Sequence, residues 1–324
     1  MRISQGFFIL LIFLIAACDS QSSRQVSNKN GYLLENEKVF QGINLLGDSL
    51  FSEIDSLVQQ DQLENLKSAE DAFAEDPSLG NLIWIGRREA YLGRYDLAIR
   101  TFTKAIKEHS NAYEALRHRG HRFISIRKLD QAIVDLEKAS KLMEGQPLQI
   151  EPDGMPNKLN IPLSNVQFNV WYHLGLAYYL KRDWGKALEA YEKCLAVSNN
   201  DDLKVATLDW YYMTLMKLGK KDEAFNAINK VNKNMEIIEN DAYFKRILMY
   251  KGELPPQALL STETKIEDQK LQYVTQGYGL GNYYLSKGDT AMAITVFQNV
   301  IQTGYWSAFG YIASEMELAN LNDE

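Results

Sequence analysis

The chain has 324 residues, a formal net charge of −7, two cysteines and 46% hydrophobic content. That apolar content marks a folding, globular sequence, and two cysteines exclude a disulfide framework or a cysteine-built zinc or iron–sulfur site. The acidic balance argues against general nucleic-acid binding, and a single long apolar run excludes a multi-span membrane protein.

That run opens the chain. Met1-Arg2 is a short basic region, residues 7–14 are continuously apolar, and small residues lead into a cysteine at Ile15-Ala16-Ala17-Cys18. The basic, apolar, small-residue order is that of a secretory signal, an uncleaved anchor being the alternative. Ile15-Ala16-Ala17-Cys18 resembles the bacterial lipobox. The resemblance implies cleavage of a signal peptide at 1–17 and lipidation of Cys18, so that acyl chains hold the protein at the cell envelope. Periplasmic and outer-membrane faces both remain open. Residues 18–36 are rich in Ser, Gln and Asn without an apolar period, as expected of a tether.

Residues 37–78 are acidic and are expected to form a helical cap, with 63–77 reading as a lone second helix of a pair. An internal repeat then begins. Tyr95-Asp96-Leu97-Ala98-Ile99 and Leu129-Asp130-Gln131-Ala132-Ile133 lie 34 residues apart, as do Gly86 and Gly120, Phe102 and Leu136, and Ala105 and Ala139. A third copy carries Trp171, Leu174, Gly175 and Tyr178, then Trp184, Ala187 and Tyr191. This period and these residues resemble the tetratricopeptide (TPR) repeat, which implies an all-α solenoid of antiparallel helix pairs.

The expected order is repeats one and two at 79–145, repeats three and four at 167–234, and a C-terminal part at 235–324. That last part holds an extra helix at 241–251, a fifth repeat with Gly281, Ala293 and Phe297, and a capping helix. In the fourth copy Tyr212 displaces the usual small residue. Residues 146–166 contain four of the seven prolines and read as an inserted loop. Segments 84–91, 117–122, 151–157 and 306–311 also resemble a group of bacterial TPR proteins. That likeness implies the fold and leaves the function open.

Charge is divided unevenly. Residues 19–78 carry a net −8, residues 79–145 a net +5 and residues 146–324 a net −5. In TPR arrays the first helix of each pair lines the concave groove. Transferred position by position, the resemblance implies a ligand-binding groove of Arg87, Tyr91, Arg117, His121, Asn169 and Tyr172. Tyr179, Asp209, Met213, Lys217, Tyr278 and Asn282 continue it. Arginine and tyrosine there suit carboxylates and peptide backbone. Internal neutralisation by Glu89, Glu114, Glu151 or Asp153 is the competing reading.

His118 and His121 stand three apart on one helix, with His173 in the next repeat, yet no metal-binding motif accompanies them and no metal is expected. No nucleophile elbow, phosphate loop or dinucleotide fingerprint occurs, so neither cofactor nor catalytic residue is assigned. Cys194 takes a buried helix position and reads as core. The expected function is a non-catalytic, membrane-anchored scaffold for a peptide or protein partner. The alternative is an envelope enzyme or small-ligand receptor with an Arg/His-lined pocket.

Overall fold

A computed structural model describes residues 38–52, 56–154, 157, 159–260 and 267–323. The expected signal peptide, the expected lipidation site Cys18 and the expected tether lie outside the described residues. Within them, helices dominate, and the all-α solenoid expected from the 34-residue period is what forms.

The chain enters through a β-hairpin, β1 (Val39–Ile43) against β2 (Ser49–Ser52). A helical cap was expected over this stretch, and the local turn chemistry overrides it. Asn44 Oδ1 accepts from the backbone of Leu46 and Asp48 at 2.9 and 2.8 Å, and Gly47 takes a φ of 93°. Such an Asx turn closes a short hairpin where a helix would leave these donors to the next turn. Helix α1 (Ser56–Glu75) follows and includes the expected lone second helix.

Five helix pairs come next. They are α2 (Leu79–Tyr91) with α3 (Tyr95–Glu108), α4 (Tyr113–Ser125) with α5 (Leu129–Leu142), and α6 (Val166–Leu180) with α7 (Trp184–Val197). After α8 (Asp201–Lys217) with α9 (Lys221–Ile228) comes the single helix α10 (Asp241–Tyr250). The fifth pair is α11 (Glu267–Ser286) with α12 (Thr290–Gln302), and α13 (Phe309–Asp323) ends the described chain. Side-chain oxygens cap several starts: Asn165 accepts from Phe168 N at 2.7 Å, and Asn200 from Leu203 N at 3.0 Å.

Within a pair, a large side chain of the second helix lies on a glycine of the first. A Cβ on Gly175 would stand 2.6 Å from the Tyr191 ring, and one on Gly86 would stand 2.6 Å from Phe102. The repeat period therefore encodes helix proximity. The fourth pair breaks the rule. Tyr212 occupies the glycine place, and its ring stacks on Tyr250 of α10 at 4.5 Å. The extra helix thus adds a stacked partner to the edge contact that Phe225 of α9 makes with Tyr212 at 5.6 Å inside the repeat.

The C-terminal helix folds back across the array. Phe309, at the start of α13, lies 5.1 Å from the His121 ring, 5.5 Å from His173 and 6.4 Å from Tyr172. Buried Glu315 takes two bonds from Arg127, Nε at 3.0 Å and Nη2 at 2.6 Å, and accepts from Leu45 N at 3.3 Å. Arg127 Nη2 also donates to Trp306 O at 2.8 Å, while Trp306 Nε1 donates to Phe51 O at 2.8 Å. Arg127 holds a φ of 62°, unusual for a residue with a side chain, and this two-sided clasp offsets that strain. Hairpin, second repeat and C-terminal segment are therefore joined by charge and by an indole bond.

Candidate functional site

The basic centre expected from the charge distribution is a real cluster on the first helices of repeats one and two. α2 supplies Arg87, Arg88 and Tyr91, and α4 supplies Arg117, His118, His121 and Arg122. Above it runs the proline-rich loop, tied down at its base. Glu151 N donates to Ser164 O at 3.0 Å and Val166 N to Gln149 O at 2.8 Å. Tyr113 Oη donates to Gln149 Oε1 at 2.7 Å.

From this loop hang the cluster's partners. Arg87 Nη2 donates to Pro152 O at 2.8 Å, and its guanidinium lies 4.1 Å over the Trp84 ring. Arg88 reaches Gly154 O at 3.3 Å. Gly154 sits directly on Tyr91, so close that a Cβ would fall 1.8 Å from the phenol oxygen. Glu151, itself buried, receives Arg117 Nη2 at 3.0 Å and Asn169 Nδ2 at 3.0 Å.

The protonation states follow from the donors. A guanidinium can only donate, so Arg117 Nη1, 2.8 Å from His118 Nδ1, makes that nitrogen an acceptor. The His118 proton then sits on Nε2, which faces Glu151 at 3.6 Å. His173 Nδ1 donates to Asn169 O at 2.5 Å. Burial holds His118, His121 and His173 well below the usual histidine range, and the surrounding arginines push the same way. All three rings are neutral at pH 7. They pack as aromatic surfaces: His118 on Phe102 at 5.4 Å, His121 on His173 at 4.4 Å. Among the described residues no three His, Cys, Asp or Glu side chains gather to hold a metal ion.

Neutral histidines leave the arithmetic to four arginines and two loop carboxylates. Burial lowers the guanidinium pKa values of Arg88, Arg117 and Arg122, and neighbouring arginines add to the effect. Arg122 lies 4.9 Å over the Tyr95 ring, and no carboxylate of the described residues pairs with it. The Nε groups of Arg87 and Arg117 are buried without an acceptor. Partial burial raises the Asp153 carboxyl against the pull of Arg87. Glu89 and Glu114 do not serve these arginines: each keeps a buried, unpartnered Oε2. The cluster is therefore richer in cations than in counter-ions.

The groove positions expected to bind a ligand accordingly divide. Arg87, Tyr91, Arg117 and Asn169 sit together under the 151–154 segment. His121 and Tyr172 lie instead beneath Phe309 of α13, and the Tyr172 hydroxyl is occupied, accepting from Trp210 Nε1 at 2.7 Å and donating to Tyr243 at 2.9 Å. Arg122 joins the first group although it lies outside the groove positions; its signal in the sequence is only the basic run at 117–122. Cys194 is core, its thiol pushed up to about 12 by burial.

Further along, Asp209 and Arg246 form an ion pair at 2.8 Å with neither side chain exposed. Arg246 also donates to Thr275 O at 3.0 Å. Here cation and anion balance in formal charge, with neither Asp209 oxygen in hydrogen-bond geometry.

The tetratricopeptide-repeat family pattern matches residues 85–142 and 168–201. Among solved structures, a tetratricopeptide repeat protein from Parabacteroides merdae ATCC 43184 is 13% identical with a TM-score of 0.44. The match covers 82% of this chain and 94% of that one. The crystal structure of MamA is 18% identical with a TM-score of 0.36, over 67% of this chain and 93% of that one. No curated protein matches the chain. The chain carries TPR repeats, a module suited to holding protein partners.

Proposed function

We propose that this chain is a non-catalytic TPR scaffold, held at the bacterial cell envelope by a lipid on Cys18, that binds an acidic segment of a protein partner. The segment enters the basin of Arg87, Tyr91, Arg117, Arg122 and Asn169. One observation carries this reading: the carboxylate that neutralises the basin is lent by the chain's own loop, through Glu151 on Arg117 and Asn169. A polypeptide carboxylate already occupies the place, and half-buried Arg122, which no carboxylate of the described residues pairs, remains to receive another. Charge-assisted bonds from a planar guanidinium give a carboxylate both strength and orientation. His121 and Tyr172 act from below, as the packed floor under α13.

The roof formed by Pro152–Gly154 over Arg87 and Arg88 favours a second reading, a receptor for a small anion that fits beneath the loop. One experiment separates the two. Cross-linking capture from native membranes is compared for the wild type, Arg122→Glu and the double variant Arg87→Gln/Arg117→Gln, with helical content checked by circular dichroism. The scaffold reading expects partner capture to fall at least about fivefold in both. Unchanged capture with intact helices removes the basin, and competition by acetate or inorganic phosphate at millimolar concentration favours the receptor. Labelled palmitate incorporation, lost on Cys18→Ala, tests the anchor.

A further inference from the structure

Of the groove residues of repeats four and five, Asp209 and Tyr278 are fully buried, and the others lie beside a space that no loop roofs. Met213 and Lys217 of α8, and Asn282 of α11, open into a cleft of about 350 Å³ that Tyr212, Met216, Tyr250, Tyr283 and Leu285 complete, with Lys221 and Ser286 at its mouth. The apolar part of its lining is the rings of Tyr212, Tyr250 and Tyr283, the thioethers of Met213 and Met216, and Leu285; Lys217, Lys221, Asn282 and Ser286 make the rest polar. The cause lies in the repeat itself: with Tyr212 in the glycine place, the ring turns to Tyr250 of α10, and these two buried tyrosines form one wall.

The polar side chains of the lining are mostly spoken for. Arg246 contacts Met213 Sδ at 2.9 Å yet carries no net charge to the cleft, because Asp209 neutralises it. Lys217 pairs with Glu317 at 2.6 Å. Asn282 Nδ2 donates to Tyr278 O at 3.2 Å. Lys221 is exposed at the mouth, and no carboxylate of the described residues pairs with it. Lys287 lies 5.4 Å over the Tyr283 ring, and no carboxylate of the described residues pairs with it either, so the partly aromatic cleft carries an excess of positive charge at its entrance, of which Lys221 is the member in the lining.

We propose that this cleft binds an aromatic carboxylate, ring inward against Tyr212, Tyr250, Met213 and Met216, acid outward to Lys221. Ring faces and thioether sulfurs favour an aromatic group over an aliphatic one of equal size. A volume of about 350 Å³ stands at the lower end of ligand sites, which limits the ligand to one or two fused rings. Such a group can be a free acid or the C-terminal residue of a peptide. The site is independent of the arginine basin and stands whether or not the basin binds a partner.

Calorimetric titration of the full chain tests it with four probes: indole-3-acetate, indole-3-acetamide, a heptapeptide ending in a free C-terminal Trp, and the same peptide amidated. At least one of the two acids is expected to bind one-to-one, about fivefold or more tightly than its amide. Which acid binds identifies the source. Lys221→Gln should weaken that acid about fivefold, and the cleft-filling Ser286→Trp should abolish binding. Both variants alter exposed positions, and their melting temperatures report intact folding. Absence of binding by both acids, equal binding of acid and amide, or binding unchanged by Lys221→Gln overturns the proposal.

Discussion

In repeats one and two, the first helices on the concave side of the array gather Arg87, Arg88, Arg117 and Arg122; the inserted loop pairs Arg117 through Glu151 and gives Arg87 and Arg88 only backbone carbonyls. In repeats four and five the same side buries Asp209 against Arg246 and leaves a cleft beside Tyr212. One half is crowded and short of anions; the other is balanced and partly open. Burying a charge costs several kcal/mol unless it is paired. A region that balances its charges internally is built for stability, and a region that leaves cations in excess holds that imbalance for something else to complete.

The largest expected effect lies in the balanced half. Arg246→Met leaves Asp209 without its cation in a fully buried place, which should cost about 3–5 kcal/mol in urea unfolding. Arg122→Gln, with no carboxylate to orphan, should cost far less, and a comparable loss there would erase the contrast.

The next prediction removes the cover from the crowded half. A Cβ on Gly310 would lie 2.5 Å from the backbone oxygen of Val274, so α13 cannot keep its place on α11. Gly310→Val should cost ~3 kcal/mol. Hydrogen exchange should then accelerate in α13, around His121 and around Lys217, which α13 holds through Glu317, before it does in α3 and α10. Uniform acceleration would mean that the C-terminal helix has no localised cover to remove.

Both predictions rest on features of unequal visibility in the sequence. The five pairs were legible because a 34-residue period places Gly86 against Phe102 and Gly175 against Tyr191, and the contact itself enforces the pattern. The inserted loop showed in its prolines, the basic centre in its charge. The hairpin at 39–52 was not legible, since two strands of five and four residues carry little periodicity and Asn44 decides the turn alone. Nor was the Arg127–Glu315 clasp, whose members are joined by closure of the whole array rather than by any local spacing. Tyr212 was visible as a departure from the repeat, but its meaning depends on Tyr250, a residue of a helix outside the repeat pattern.

A smaller effect concerns Glu89, whose carboxyl burial raises to about 7. Its folded pKa lies above that of the unfolded chain, so the folded form binds more protons between pH 4.5 and 7. Stability therefore falls as pH rises through that window. Glu89→Gln should remove the loss: variant and wild type differ little at pH 4, and the variant is more stable by about 2 kcal/mol at pH 8, allowing for partial exposure. A gap that stays constant with pH would show that Glu89 finds a cation and takes part in neutralising the crowded half. The smallest effect serves as baseline. Lys67–Asp71 is an exposed pair at 3.0 Å, and Lys67→Ala should change stability by no more than about 0.5 kcal/mol.

Most direct of all is the affinity of a labelled, glutamate-rich peptide for the full chain with and without Glu151→Gln. If Glu151 holds the place of a partner's carboxylate, removing its charge frees Arg117 and Asn169, and the peptide should bind about fivefold or more tightly, with the gain reduced by added salt. Equal or weaker binding by the variant would contradict the account, because the loop carboxylate would then be part of a closed structural network and not the occupant of a binding site.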